Sequence, residues 1–219
     1  MSAKRPVVFL GPTLPVKDAA SILDADYRPP VKRGDIAALI PSPPPAIAIV
    51  DGEFFQSLAI SPKEVLRAIE AGIPVWGASS MGALRAAELH GFGMIGVGTV
   101  FELYRSGRVN ADDEVAVSFA SGERRVFSEA MINMRVVLGR ACGEGIIDRA
   151  TCRRLLREIK SMYFPERSWS NLWEKTAHWL PRKDANALRR YLAAHSADVK
   201  RDDAIRLLHE LQAALNSSP

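Results

Sequence analysis

Three short apolar runs in the first half of the chain place the strongest constraint on its fold. They occupy residues 6–10, 46–50 and 73–78, and each is apolar enough to be a strand buried on both faces. Strands of this kind are typical of parallel sheets, in which helices make the crossover connections. The sequence therefore predicts an α/β fold, with a mostly parallel N-terminal sheet and flanking helices.

Helical patterns fill the segments between these runs. Residues 16–23 and 81–90 carry apolar side chains at helical spacing, and a further helix begins at Ser61. Ser61 is a preferred N-cap residue, and Glu64 three positions later completes a capping box. We expect Gly72 to end this helix and Glu64 to face solvent.

Prolines and alternating residues define the connecting segments. Pro29 and Pro30 exclude a regular helix over residues 24–35, which we expect to be irregular. Residues 114–119 alternate between polar and apolar side chains, which is compatible with a strand, and a turn would connect them to residues 125–127.

The rest of the chain is predicted to be helical. Helical periodicity dominates over residues 129–141, 149–164, 170–180, 184–195 and 202–215. We therefore predict an α/β core over residues 1–120, followed by a predominantly helical C-terminal region over residues 121–219.

Three polar or glycine-containing segments directly follow the three predicted strands. They are Gly11-Pro12-Thr13, Asp51-Gly52-Glu53-Phe54 and Ser79-Ser80-Met81. The carboxyl ends of parallel strands lie at one edge of a sheet, which is where ligands bind in α/β folds. The sequence thus predicts a functional site built from these three segments.

Ser80 has the sequence environment of a nucleophile elbow. Ala78 and Gly82 lie two positions to either side of it. Small residues are typical of these positions because a strained strand-to-helix turn closes only between small side chains. The N–H of Met81, at the start of the following helix, could stabilise an oxyanion. The alternative is that Ser79 or Ser80 merely caps that helix.

A serine nucleophile requires a base, and Lys32 is the candidate that the sequence offers. His90 ends the helix that follows Ser80, about 15 Å away at ~1.5 Å per residue, which is too far for direct contact. A catalytic lysine must be neutral, and Arg28 and Arg33 could lower its pKa through their positive charge. The alternative is an ordinary solvated loop lysine.

Asp51 follows the second strand and could orient a base, bind a ligand or cap a turn. Together with the acidic residues 112–114 it could in principle bind a cation. Acidic clusters of this kind are more often turn and cap residues, so we predict neither a metal site nor a cofactor.

Composition bears on location and on possible binding to nucleic acid. No apolar run is long enough to span a bilayer and the N-terminus lacks a signal-peptide core, so we predict a cytoplasmic protein. Residues 120–219 contain 18 of the 29 basic and 12 of the 25 acidic residues, a local charge of +6. These basic residues are scattered without interleaved aromatic residues, which favours a solvated helical surface over a nucleic-acid site.

Five segments, in this order and spacing, resemble the TfuA-like proteins. They are residues 8–14, 29–35, 51–54, 77–89 and 112–115, and the resemblance covers roughly residues 7–120. It implies a partner of a YcaO protein, the ATP-using enzyme that replaces a peptide-backbone oxygen with sulfur. It further implies hydrolysis of the C-terminal thiocarboxylate of a ThiS-like sulfur-carrier protein, and better engagement of the precursor peptide or protein substrate by YcaO.

The resemblance also implies a Ser-Lys site. Ser80 matches the serine, with Ser79 as the competing choice, and Lys32 is the most plausible lysine. In the mechanism this implies, Lys32 deprotonates Ser80, and the N–H of Met81, with those of Gly11 or Thr13, holds the oxyanion. Three alternatives stay open: a Ser-Lys hydrolase of small acyl substrates, a non-catalytic adaptor that docks peptide, carrier and YcaO, and nucleic-acid binding through the basic region.

Overall fold

A computed structural model describes residues 4–54, 58–118, 127–195 and 198–217. The chain forms two compact units, residues 1–112 together with 200–219, and residues 113–199. The predicted boundary at residue 120 therefore needs correction, because the chain divides after Asp112 and the last helix belongs to the first unit.

The first unit contains an all-parallel sheet. Within the described residues its strands are β1 (Val7–Phe9), β2 (Asp26–Arg28), β3 (Ile47–Ile49), β4 (Val75–Ala78) and β5 (Ile95–Val97). The strand order is β2-β1-β3-β4-β5, so β1, β3 and β4 lie inside the sheet. The predicted α/β class and the three predicted strands are confirmed.

Two strands escaped prediction. The three residues of β2 are only half-buried and lie at one edge of the sheet, within the segment that we expected to be irregular. At the opposite edge, β5 contains Gly96 and an exposed Ile95. β2 contains charged residues and β5 contains a glycine, so neither short edge strand has the apolar run that marks a buried strand.

Helices cover this sheet. They are α1 (Val16–Ala20), α2 (Pro62–Glu70), α3 (Met81–Leu89), α4 (Gly98–Arg105) and α9 (Val199–Ser217). Leu207, Leu208 and Leu211 of α9 share one apolar cluster with Val8 of β1 and Ala48 of β3. This burial explains why the last helix belongs to the sheet-containing unit.

Asp203 of α9 also caps α4. Its carboxylate accepts hydrogen bonds from the N–H groups of Thr99 at 2.8 Å and Val100 at 2.7 Å. A negative charge there suits the positive end of the α4 dipole. Burial nevertheless outweighs these hydrogen bonds and raises the pKa of the Asp203 carboxyl to about 6.

The second unit is helical, as predicted. It contains α5 (Met131–Gly143), α6 (Arg149–Lys160), α7 (Trp169–Thr176) and α8 (Arg182–Ala194), whose apolar faces form one core. The strand expected over residues 114–119 is absent from the described part, residues 114–118, and most of its expected partner lies outside the described residues. No helix of the described residues is long and apolar enough to cross a membrane.

Asp113 and Glu114 pair with basic side chains. Glu114 forms a two-point ion pair with Arg135, with distances of 2.8 and 3.0 Å, and Asp113 pairs with Lys160 and the buried Arg167. Burial raises the pKa of the Asp113 carboxyl, but the hydrogen bonds and positive charges of Lys160 and Arg167 lower it by more. The pKa of Asp113 therefore lies below its usual value. Within the described residues no cluster of three or more His, Cys, Asp or Glu side chains could hold a metal ion.

Candidate active site

A sharp turn centred on Ser79 joins β4 to α3. Ser79 has a φ of 69°, the only positive φ of a non-glycine residue in the described ranges. The N–H of Ser80 donates to the carbonyl of Ala78 at 2.8 Å, which closes a γ-turn around Ser79. Strain of this type costs about 1–3 kcal/mol and is concentrated at active sites. A strained turn thus lies where the elbow was predicted, but its strained residue is Ser79 rather than Ser80.

Two glycines allow α3 to begin against the sheet. A Cβ on Gly77 would overlap the carbonyl oxygen of Gly82, and a Cβ on Gly82 would overlap that of Ile49 in β3. The Gly82 N–H donates to the carbonyl of Val50 at 3.3 Å, which fixes the first turn of α3 onto the end of β3. The small residues of the sequence motif therefore serve close backbone packing.

The two serines differ in what their hydroxyls contact. Ser79 is completely buried, and its Oγ lies 3.5 Å from Thr13 Oγ1. Ser80 occupies the N-cap position of α3, yet its side chain makes no capping hydrogen bond, nor one to any other residue within the described ranges. Helix capping therefore does not account for the Ser80 hydroxyl.

Met81 supplies the first N–H of α3. No described residue accepts a hydrogen bond from it, whereas the preceding N–H, that of Ser80, is used in the γ-turn. The N-terminal end of a helix carries a partial positive charge. Of the predicted oxyanion donors, Met81 is thus the one with an available N–H.

Asp51 occupies the N–H groups of Gly11 and Thr13. Its buried carboxylate accepts from Gly11 N at 2.8 Å, Thr13 N at 3.1 Å and Thr13 Oγ1 at 2.6 Å. In this structure the N–H groups of Gly11 and Thr13 therefore already have a carboxylate partner, and their expected part in holding an oxyanion stays a prediction. Asp51 instead holds the β1 loop beside Ser79.

The segment carrying Lys32 reaches the same edge of the sheet. Val31 pairs in parallel with Gly52. The Val31 N–H donates to the carbonyl of Asp51 at 2.9 Å, and the Glu53 N–H donates to the carbonyl of Val31 at 3.0 Å. Gly52 in turn packs on Met81, where an added Cβ would lie 2.7 Å from the Met81 Cγ. Lys32 therefore directly follows a residue packed into this corner, while its own side chain is exposed.

Glu64 holds the segment that carries Lys32, a role that was not predicted from the sequence. Its carboxylate accepts from the N–H groups of Gly34 at 3.0 Å, Ile36 at 3.1 Å and Ala37 at 3.1 Å. Ser61 Oγ accepts from the Glu64 N–H as a capping box requires, but the Glu64 side chain is buried rather than solvent-facing. These hydrogen bonds join residues up to 30 positions apart. They leave no periodic pattern in the sequence, so the role of Glu64 could not be predicted from it.

The nearby arginines are partly engaged elsewhere. Arg28 forms an ion pair with Asp26 at 2.8 Å. Arg85 of α3 pairs with Glu88 and also donates to the carbonyl of Ile60 at 3.1 Å. The bond from Arg85 to Ile60 connects α3 to the segment that precedes α2.

The fold and this corner define a class: a parallel α/β protein with a serine-bearing strand–turn–helix corner at the carboxyl edge of its sheet. The model of one family, described as TfuA-like protein, matches residues 51–168. The match covers more than half of the chain, which therefore belongs to the TfuA-like proteins. The family is associated with YcaO-related thioamidation. No curated protein matches the chain.

The matched range differs from the range of the resemblance. It includes Asp51, Ser79, Ser80 and Met81, and it continues past residue 120 into the helical unit. Gly11, Thr13 and Lys32 precede the match. The choice of Lys32 thus depends on its position beside the corner rather than on the family match.

Proposed function

We propose that this protein hydrolyses the C-terminal thiocarboxylate of a ThiS-like sulfur carrier and thereby delivers sulfide for YcaO-dependent backbone thioamidation of a ribosomal peptide or protein. One observation carries the proposal. Ser80 presents a hydroxyl without a hydrogen-bond partner among the described residues, and the next residue, Met81, presents an N–H without one. A nucleophile followed by an oxyanion donor is the arrangement that acyl transfer requires.

The proposed reaction begins with proton transfer from the Ser80 hydroxyl to the Lys32 amine. The Oγ attacks the thiocarboxylate carbon, and the Met81 N–H, at the positive end of α3, stabilises the negative oxygen. The C–S bond then breaks, Lys32 returns the proton to sulfur, and hydrosulfide leaves. Water hydrolyses the resulting ester on Ser80, which releases a carrier with an ordinary C-terminal carboxylate.

Ser80 is a better candidate than Ser79 because of its surroundings. The hydroxyl of Ser79 is fully buried beside Thr13, and the N–H that follows it is used in the γ-turn. Ser79 would therefore need a rearranged turn in order to react. We assign it a positioning role, in which its strained backbone directs Ser80 and Met81 toward the substrate.

Sulfide release from a thiocarboxylated ThiS-type carrier tests this proposal. We expect Ser80→Ala to lower the rate at least about a thousandfold, as expected for loss of a nucleophile, and Lys32→Ala on the order of a hundredfold. Lys63→Ala, at an exposed lysine of α2, is the matched control and should retain full activity. Undiminished release by Ser80→Ala would exclude the mechanism.

The difference in exposure between the two proposed catalytic residues favours a second candidate function, that of a non-catalytic adaptor. Ser80 is only 2% exposed, whereas Lys32 is exposed. A protein that only docks carrier, peptide and YcaO would not need to bring them together. In a reconstituted reaction with YcaO, full thioamidation by both Ser80→Ala and Lys32→Ala would support this adaptor function and contradict the hydrolase.

A further inference from the structure

A groove of about 440 Å³ lies in the helical unit, between α8 on one side and α7 with the turn that follows it on the other. This volume falls within the range of about 300–1,000 Å³ that is usual for ligand sites. No residue of the serine corner lines the groove, so the proposed hydrolase function leaves it without a role.

The first wall of the groove is apolar and has the spacing of one helix face. α7 and the turn after it contribute Trp173, Thr176, Ala177 and Leu180, which follow one another at intervals of three, one and three residues. The hydroxyl of the buried Thr176 donates to the carbonyl of Leu172 at 2.7 Å and is therefore already used. This wall thus offers mainly apolar surface to an occupant.

The second wall is a face of α8 with the same spacing. It consists of Arg182, Ala185, Asn186 and Arg189. Because alanine stands near the middle of each wall, at Ala177 and Ala185, another backbone can approach closely there. Two helix faces that form a groove of this kind are suited to a third, amphipathic helix laid along them.

Two arginines determine the charge of the groove. No acidic residue lines it, so Arg182 and Arg189 give the lining a formal charge of +2. Both side chains are exposed and neither forms a hydrogen bond or an ion pair with a described residue, although Arg189 lies 5.0 Å from the centroid of the Trp173 ring. Glu129 and Asp198 line a neighbouring cavity that Arg189 also borders, and Arg189 pairs with neither. The complementary occupant is therefore anionic.

We propose that this groove binds an acidic amphipathic helix of a protein partner, with two carboxylates seven residues apart. Arg182 and Arg189 are themselves seven positions apart on α8, about 10.5 Å at ~1.5 Å per residue. A helix laid along α8 presents carboxylates at positions i and i+7 with the same separation. Its side chains at i+3 and i+4 lie on the same face and would pack on Ala177 and Ala185. Each guanidinium can hold one carboxylate through two parallel hydrogen bonds.

A titration of the full chain with designed helical peptides, followed by tryptophan fluorescence and calorimetry, tests the proposal. The probe is a capped fifteen-residue peptide of alanine and lysine with glutamates at positions i and i+7 and leucines at i+3 and i+4. One matched peptide replaces both glutamates by glutamine, and another carries both glutamates on the face opposite the leucines. We expect the probe to bind about tenfold more tightly than either matched peptide. Equal affinity for the probe and either matched peptide, or no binding of the probe at millimolar concentration, would overturn the proposal.

Variants locate the site. Arg182→Gln and Arg189→Gln should each weaken binding of the probe about threefold, and the double variant about tenfold, since each replacement removes one guanidinium. Arg190→Gln is the matched control, because Arg190 is exposed on the same helix and does not line the groove. Ala177→Glu should also weaken binding, because it places a competing carboxylate in the groove and removes no arginine. An equal loss in Arg190→Gln, or no loss in the double variant, would contradict the assigned site.

Two further measurements distinguish other occupants of the groove. A wild-type chain that is dimeric by sedimentation, and a double variant that is monomeric, would assign the groove to a second copy of this chain and overturn the proposal. Tighter binding of a fifteen-nucleotide oligouridylate than of the probe, lost in the double variant, would assign it to nucleic acid and overturn it as well.

Discussion

At the scale of single residues, adjacent serines in this corner have separate tasks. Ser79 adopts the strained φ that turns the chain, and the Ser80 hydroxyl has no hydrogen-bond partner among the described residues. Asp51 stabilises the arrangement from the neighbouring strand, because its carboxylate satisfies Gly11 and Thr13 at once. The loop that lies against Ser79 is therefore held by a buried carboxylate that takes no part in the proposed reaction.

Replacing Asp51 tests that dependence. Asp51→Asn substitutes a neutral amide, which presents N–H donors toward the donors of Gly11 and Thr13. We expect the free energy of unfolding to fall by about 2–4 kcal/mol, since buried donors lose a charged acceptor. Chemical denaturation measures the change, and Asp24→Asn, at a side chain that is 84% exposed, should change it little. A loss below about 0.5 kcal/mol in Asp51→Asn would show that the carboxylate is dispensable.

At the scale of secondary-structure elements, the position of α3 determines where Ser80 lies. The first turn of α3 packs directly on the backbone of β3 at Gly82. The loop carrying Lys32 is held separately, by Glu64 of α2. Two helices thus position the two proposed catalytic residues from different parts of the sequence.

Gly82→Ala should disrupt the corner. Its methyl group would overlap the Ile49 carbonyl, which belongs to the backbone of β3 and cannot move aside cheaply. We expect a loss of about 3 kcal/mol or more in the free energy of unfolding, measured by denaturation. Gly139→Ala in α5, where an added Cβ meets nothing, should instead be neutral or stabilising by up to about 1 kcal/mol. Similar effects of the two substitutions would contradict the packing described for α3.

Glu64→Ala should loosen the Lys32 segment. The N–H groups of Gly34, Ile36 and Ala37 lose their common acceptor, so their amide hydrogens should exchange faster with solvent. Hydrogen exchange with mass spectrometry measures this, with the exposed Glu70→Ala of the same helix as control. Unchanged exchange over residues 32–37 in Glu64→Ala would show that the carboxylate does not hold this segment.

The sequence predicts those elements whose burial leaves a local pattern. Strands β1, β3 and β4 are buried and read as continuous apolar runs, whereas β2 and β5 are short edge strands with polar or glycine residues. The convergence of three loops at one edge follows from parallel topology alone. The roles of Asp51 and Glu64 could not be predicted, because both depend on hydrogen bonds between residues far apart in the sequence.

At the scale of the whole molecule, the last helix completes the first unit. Its periodicity shows that one face is apolar but not which partner that face packs against, so the sequence did not reveal its place beside the sheet. Leu207, Leu208 and Leu211 bury that face, and Asp203 connects it to the start of α4. Packing of α9 against the sheet thus stabilises the unit that carries Ser80.

Asp203 makes a pH dependence of stability testable. Its pKa is about 6 in the folded protein, above the ordinary value of 3.8, so the folded state binds more protons between these values. Its contribution to the free energy of unfolding therefore falls as pH rises from about 4 to 6, by up to about 3 kcal/mol, and is constant above that range. Asp203→Asn should flatten this part of the profile, measured by denaturation at several pH values. An identical pH profile in the variant would contradict the raised pKa.

The most direct test of the proposed hydrolase is to trap the ester on Ser80. Wild-type protein is mixed with the thiocarboxylated carrier, quenched with acid within one turnover, and digested with trypsin, which releases residues 68–85 as one peptide. The proposed mechanism predicts that this peptide carries the C-terminal fragment of the carrier, that fragmentation assigns it to Ser80, and that Ser80→Ala carries none. Sulfide release by Ser80→Ala at the wild-type rate, or an adduct on Ser79 instead, would contradict Ser80 as the nucleophile.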